Sequence, residues 1–157
     1  MARASGTAAL AAYQDNPAGR WLAVEALHGI VDAALDRALR REHGLSVREL
    51  AALEILSTQD DDEDGHFQMR ELARGLALSQ SATTRLVTRL EERGMLTRYI
   101  CPTDRRGVYI DVTDAGQHLL SQARPTRDTA LVEVLGSLSD NRLSPLIQFI
   151  GLDDGVA

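Results

Sequence analysis

Apolar side chains recur at spacings of three and four from Trp21 through Val24, Leu27, Val31, Leu35 and Leu39, the period of a helix with one buried face. Asn16-Pro17 predicts where that helix starts: Asn can satisfy free backbone N–H groups, and the N–H that Pro lacks is not needed in a first turn. Gly44 predicts its end. Ser46-Val47-Arg48-Glu49 then opens a second helix as a capping box, with Leu50, Leu53 and Leu56 on one face. The run Asp60-Asp61-Asp62-Glu63-Asp64-Gly65 is expected to be a solvated loop, because adjacent carboxylates repel and Gly breaks a helix.

Beyond that loop the elements shorten. His66-Phe67-Gln68 reads as a short extended piece, and a compact helix from Met69 to about Leu76 turns Leu72, Ala73 and Leu76 inward. After a turn at Ala77-Leu78, Ser79 caps another helix that runs to Arg93 and stops at Gly94. Two short helices about a tight turn make a helix-turn-helix. Leu96 to Cys101 and Gly107 to Val112 read as strands joined by Pro102-Thr103-Asp104-Arg105-Arg106, a β-hairpin wing. Thr113 caps a further helix through about Leu135, which Pro125 is expected to kink or break. A last helix, with Ser144-Pro145 as a candidate start, runs to about Ile150. There is no internal repeat.

Composition agrees with a mainly α (α+β) fold: 44% of the 157 residues are hydrophobic but only 4% aromatic, with Leu and Ala dominant, which favours helices over a sandwich or barrel. The length suits one domain. Residues 1–15 are expected to form a loose arm, 16–150 a single domain, and 151–157 a tail. Within the domain, 46–116 is the winged helix-turn-helix lobe. The long apolar helices in 16–44 and 117–150 bury little against so small a lobe, and so are expected to pair with a second copy. No apolar run approaches the roughly 18 residues of a membrane span, and the N-terminus lacks the pattern of a signal peptide, so a cytoplasmic location is expected. A single cysteine, Cys101, can make no disulfide within the chain.

Charge sharpens the picture through its distribution. The net charge of -6 argues at first against a nucleic-acid partner, since phosphate binding needs local positive potential. Yet residues 1–66 carry 6 basic and 12 acidic side chains, 67–106 carry 8 and 4, and 107–157 carry 3 and 7. The middle is a basic island in an acidic chain.

On a wheel, the helix from Ser79 to Arg93 places Ala82, Thr83, Leu86, Val87 and Leu90 on one side. The other side presents Gln80, Ser81, Thr84, Arg85, Thr88 and, near its edge, Arg89, with no acid before Glu91. Hydroxyls and a helix start capped by Ser79 suit phosphate oxygens, while Gln pairs with adenine and Arg with guanine in the major groove. An ordinary solvated face would instead mix Glu with Arg at i,i+4. At the hairpin tip, Arg105 and Arg106 can enter a narrow minor groove. Asp104 beside them makes sense if it pairs with an arginine, either a wing neighbour or Arg85 or Arg89. Taken alone, the tip would pass for a plain charged turn.

The stretch from Leu76 to Gly116 resembles the DNA-binding lobe of the MarR (multiple antibiotic resistance regulator) family. The resemblance is carried by a recognition helix ending in L-E-x-x-G, then R-x-x-x-P-x-D-x-R, then a strand closing on V-T-x-x-G: Leu90, Glu91, Gly94, Arg98, Pro102, Asp104, Arg106, Val112, Thr113 and Gly116. With the helix order, the likeness covers about residues 17–150. It implies Arg106 as the minor-groove arginine, Asp104 as its buttress, and the helix after Ser79 as the major-groove reader. It further implies a homodimer on a pseudopalindromic double-stranded DNA operator, most commonly as a repressor, with a phenolic or lipophilic small-molecule effector in many members.

For such an effector Trp21 and His28 are the candidate lining residues, though a Trp and a His here more often pack in an interface. Redox sensing by Cys101 would need a lowered thiol pKa from nearby arginines, and a small strand residue is the plainer reading. Glu42, His43, Asp114 and His118 loosely echo zinc-sensing relatives, but only two are imidazoles and position 122 is Gln, so no metal and no cofactor is expected. The alternative function is a winged-helix module for protein–protein assembly without specific DNA binding. An enzyme has little support: there is no phosphate-binding glycine loop, no nucleophile with a base and no metal motif.

Overall fold

In the computed structural model, residues 17–58, 68–100 and 108–139 are described. Helix α1 (Pro17–His43) ends as its sequence predicts: Gly44 takes φ +64, a left-handed backbone that a residue without Cβ adopts cheaply. Leu45 N–H then reaches back to the Leu39 carbonyl at 3.4 Å. Helix α2 (Val47–Leu56) opens on the expected reciprocal cap, with Ser46 N–H donating to Glu49 Oε2 at 2.8 Å and Glu49 N–H to Ser46 Oγ at 3.2 Å.

Helix α3 (Met69–Gly75) is preceded by Gln68, whose N–H donates to the Glu71 carboxylate at 2.9 Å. Gln68 also forms an isolated antiparallel bridge with Tyr109. This gives the extended piece a partner; His66 and Phe67 lie outside the described residues. Helix α4 (Gln80–Glu92) follows, then an antiparallel hairpin of β1 (Leu96–Ile100) and β2 (Val108–Val112) paired in register from Leu96 with Val112 to Ile100 with Val108. Cys101 and Gly107, expected at the inner ends of the strands, are outside the described residues.

Helix α5 (Asp114–Ser139) departs from expectation. It runs through Pro125 without a break, and past the expected end near Leu135. Proline removes one backbone donor, but its neighbours are held from other elements. Arg124 Nη2 donates to Ser57 Oγ at 3.2 Å, Thr126 Oγ1 to Glu42 Oε2 at 3.0 Å, and Arg127 pairs with Glu54. Tertiary bonds thus tie the helix to other elements on either side of the proline. The last expected helix, to Ile150, lies outside the described residues.

The chain divides into two compact units, 39–127 and 1–38 with 128–157. In the first, Leu39, Leu45, Leu50, Leu53, Leu72, Leu90, Ile110 and Leu120 are at most 1% exposed; each buried leucine of this kind stabilises by about 1.5–3 kcal/mol. In the second, Val134 packs with Leu27, Val31, Ala34 and Leu131. That unit leaves large apolar side chains in the open, with Trp21 62% and Val132 72% exposed, joined by Leu22, Val24 and Ile30. Among the described residues no helix is long and apolar enough to cross a membrane.

Candidate nucleic-acid interface

The turn between α3 and α4 positions everything that follows. Leu78 N–H donates to the Ala73 carbonyl at 3.0 Å and Ala77 N–H to Arg74 at 3.2 Å, while Ala77 itself sits at φ +51. This left-handed step reverses the chain within a few residues. Ser79, extended at φ -66 and ψ 153, then accepts from Ala82 N–H at 3.3 Å and caps α4. Thr83 is fully buried, and its hydroxyl donates to the Ser79 carbonyl at 3.0 Å. A polar residue thus sits in the core with its one donor satisfied, fixing the first turn of α4 against the body.

The face opposite this anchor is the predicted one. Gln80, Ser81, Thr84, Arg85 and Arg89 are exposed and Thr88 is half-buried, while Leu86, Val87 and Leu90 are buried. Thr84 donates to the Gln80 carbonyl at 2.9 Å, and Ser81 Oγ lies 3.2 Å from Ser79 Oγ. Among the described residues the Arg85 side chain has no ion pair or hydrogen bond. The first turn of α4 holds no acid, so its free N–H groups and positive end meet solvent uncompensated.

Arg89 is different. Its Nε bonds Glu49 Oε1 at 3.3 Å, and Arg93 Nη1 lies 3.9 Å from Glu49 Oε2. Arg93 also donates to the Gly44 carbonyl at 3.1 Å and the His43 carbonyl at 3.4 Å. Burial pushes the Glu49 carboxyl up, but the bonds from Ser46 and then Arg89 outweigh it and hold the group below its ordinary value. From its neighbours in sequence, Glu49 is legible only as a cap. Nothing local marks its second role, since Arg89 lies 40 residues away.

The motif residues shared with the MarR pattern prove to be mostly structural. Glu91 pairs with Arg98, and that bond lowers the carboxyl pKa and raises the guanidinium's. Gly94 takes φ +73 at the end of α4. Thr113 Oγ1 donates to the Gly94 carbonyl at 2.6 Å and accepts from Gly116 N–H at 3.1 Å, so one side chain caps α5 and ties it to the end of α4. A Cβ at Gly116 would press on the Met95 carbonyl oxygen and come within 2.7 Å of Val112 Cγ1. The strands continue this bracing: Tyr99 and Tyr109 stack at 5.9 Å, and Gln68 Nε2 donates to Tyr109 Oη at 3.3 Å.

The wing tip, with Asp104, Arg105 and Arg106, and also Cys101, lies outside the described residues. Of the two arginines of α4 considered as partners for Asp104, Arg89 is bonded to Glu49. Trp21 and His28 are both exposed on α1. Glu42 and His43 are engaged by Thr126, with His43 Nε2 2.8 Å from its hydroxyl; Arg41 and then Thr126 lower the Glu42 pKa. Asp114 and His118 are exposed on α5. Among the described residues no group of three or more His, Cys, Asp or Glu is placed to hold a metal ion.

Comparison with known proteins gives a consistent result. A family model described as the MarR family matches residues 38–107. The uncharacterized HTH-type transcriptional regulator YkoM of Bacillus subtilis is 30% identical over 107 residues, which cover 68% of this chain and 66% of YkoM, just under two thirds of its length. The HTH-type transcriptional regulator MhqR of the same organism is 27% identical over 115 residues, covering 71% of this chain and 76% of MhqR. Among solved structures, CouR from Rhodococcus jostii RHA1, crystallised with p-coumaroyl-CoA, is 26% identical with a TM-score of 0.65, covering 92% of this chain and 98% of CouR.

Proposed function

The chain belongs to the MarR family of transcriptional regulators, and on that premise we propose that it is a sequence-specific double-stranded DNA-binding regulator, a cytoplasmic repressor holding a pseudopalindromic operator as a homodimer. The observation that carries the reading is the exposed face of α4, where Gln80, Ser81, Thr84, Arg85, Thr88 and Arg89 stand together with no acid in the first turn. Around it, Ser79 and the helix start take phosphate, and in the wing Arg105 and Arg106 take the minor groove with Asp104 as buttress. The exposed Trp21, Leu22, Val24 and Ile30 supply apolar surface for a second copy. No catalytic role is proposed.

The test is a mobility shift with DNA flanking the protein's own gene, at low salt and with Arg106→Ala beside the wild type. Binding that weakens steeply with salt, and weakens further in the folded variant, supports the reading. No shift with any flanking fragment at low salt refutes it, and leaves the assembly-module alternative.

A small-molecule effector of phenolic or lipophilic character is part of the proposal, supported by CouR's complex with p-coumaroyl-CoA. Trp21 and His28 are its candidate contacts. Trp21 is the only tryptophan in the chain, so its fluorescence reports directly: saturable quenching by p-coumaroyl-CoA that is lost in His28→Ala supports the site, and an unchanged spectrum refutes it for this ligand.

A further inference from the structure

We propose that Glu49 is a positioning residue for base recognition: its buried carboxylate grips Arg89 at Nε, so that the two terminal Nη groups of Arg89 are presented to the edge of a guanine in the major groove. The proposal rests on the DNA-reading function proposed above.

Three observations carry it. The Glu49 side chain is 8% exposed and that of Arg89 56%: the carboxylate is anchored in the body while the arginine reaches the surface. The anchor is rigid. Glu49 Oε2 accepts from Ser46 N–H at 2.8 Å and Ser46 Oγ at 2.9 Å, so the remaining oxygen, Oε1, is fixed in place when it meets Arg89 Nε at 3.3 Å. A long arginine side chain otherwise loses considerable rotamer freedom on binding; holding it beforehand removes part of that cost.

The second observation is which nitrogen is used. A guanidinium carries its five donors in a planar fork. Engagement at Nε leaves the paired Nη edge without a bond among the described residues, and that edge matches O6 and N7 of guanine. Third, Arg85 and Arg89 on α4 and Arg93 at its C-cap follow one another at i,i+4, an arrangement in which like charges repel. Glu49 lies within ion-pair distance of both Arg89 and Arg93. One carboxylate offsets two of the three charges, and it directs Arg89 outward.

The experiment begins with selection of bound sequences from a random DNA pool by the wild-type protein. Affinities for the enriched site and a scrambled site are then measured for wild type, Glu49→Gln, Arg89→Ala and the double variant. The expected preference for the enriched site falls about tenfold in Glu49→Gln, within the range for one bidentate arginine–guanine contact, while affinity for the scrambled site does not fall. Glu49→Gln should add no further loss once Arg89 is alanine. A purely structural role would lower both affinities together. Equal losses on both sites, an unchanged preference, or fully additive losses in the double variant overturn the proposal.

Arg89→Gln tests the same point without touching Glu49, since a glutamine amide offers one donor and one acceptor, which suit adenine rather than the two acceptors of guanine. Selection with this variant should lose one guanine from each half-site while retaining binding at low salt. Retention of that guanine overturns the proposal whatever the folding of Glu49→Gln. If the wild type itself enriches no sequence, the DNA-reading function fails and this inference with it; enrichment by the wild type that the variants leave unaltered removes Glu49's role alone.

Discussion

Gly116→Ala puts a local rule and the packing in direct conflict. Gly116 lies in the first turn of α5, and in a helix alanine is favoured over glycine by up to about 1 kcal/mol. The added Cβ, however, would press on the backbone oxygen of Met95 and approach Val112 Cγ1 at 2.7 Å. Met95 cannot retreat freely, because the same oxygen accepts the Thr113 N–H at 3.1 Å and Thr113 in turn binds Gly94. Overpacking of this kind costs about 1–3 kcal/mol, and loss of the Thr113 bond about 1 more. Set against the propensity gain, the net is a destabilisation of about 1–3 kcal/mol. For a chain of this size that corresponds to a fall of about 3–9 °C in Tm. Gly136→Ala is the control on the same helix: nothing among the described residues lies within 4 Å of its Cβ position, so a gain of up to about 1 kcal/mol is expected. Urea and thermal unfolding followed by circular dichroism measure both. A Gly116→Ala protein as stable as the wild type would show that the contact between the end of α4 and the start of α5 is not the constraint described.

Further predictions follow from single residues. Thr83→Val keeps the buried shape but loses the hydroxyl that donates to Ser79, and should cost about 1 kcal/mol in urea unfolding; an unchanged midpoint would mean that bond contributes nothing net. At Ala77, whose φ is +51, a left-handed alanine costs about 1–2 kcal/mol and glycine's extra chain entropy about 0.4–1 kcal/mol. Ala77→Gly should therefore be neutral to mildly stabilising and Ala77→Val destabilising, and the reverse order would refute the strain. For Glu49 the folded-state pKa is depressed, so its stabilisation is full above the unfolded carboxyl pKa and is lost as pH falls through the folded value. The stability advantage of wild type over Glu49→Gln should therefore be largest near neutral pH and shrink in acid, as measured by urea unfolding across a pH series; an advantage that grows in acid contradicts the assignment.

What could be read from the sequence was mainly what local rules govern. Gly44, Ser46, Ser79, Gly94 and Thr113 end or begin helices where their backbone preferences place them, because caps depend on neighbours within four residues. The polar face of α4 was legible for the same reason: helical period alone separates Arg85 from Leu86. Gln68 was read only as extended backbone, though Glu71 three residues on carries the signal of a cap.

Elements held by distant partners were not legible. Pro125 should break a helix on local grounds, yet the helix continues, with Arg124, Thr126 and Arg127 around it bonded to residues 67, 84 and 73 positions away. The second role of Glu49 escaped for the same reason: periodicity says that a carboxylate sits near a helix start and says nothing of the arginine across the core. The family motif was visible as a pattern, but its physical content was not. Glu91, Arg98, Gly94, Thr113 and Gly116 brace the hairpin and α5 against the end of α4 and so set the orientation of the face proposed to read DNA.

The most direct test of that face is selection from a random pool of double-stranded DNA by the full chain, followed by sequencing of what is retained. The expected result is enrichment of a pseudopalindrome whose half-sites are centred about 10–10.5 base pairs apart or a multiple of that, with the enriched positions lost when Arg85 and Arg89 are both replaced by alanine. Failure to enrich any sequence, or enrichment of a site that the double replacement leaves unaltered, would contradict it.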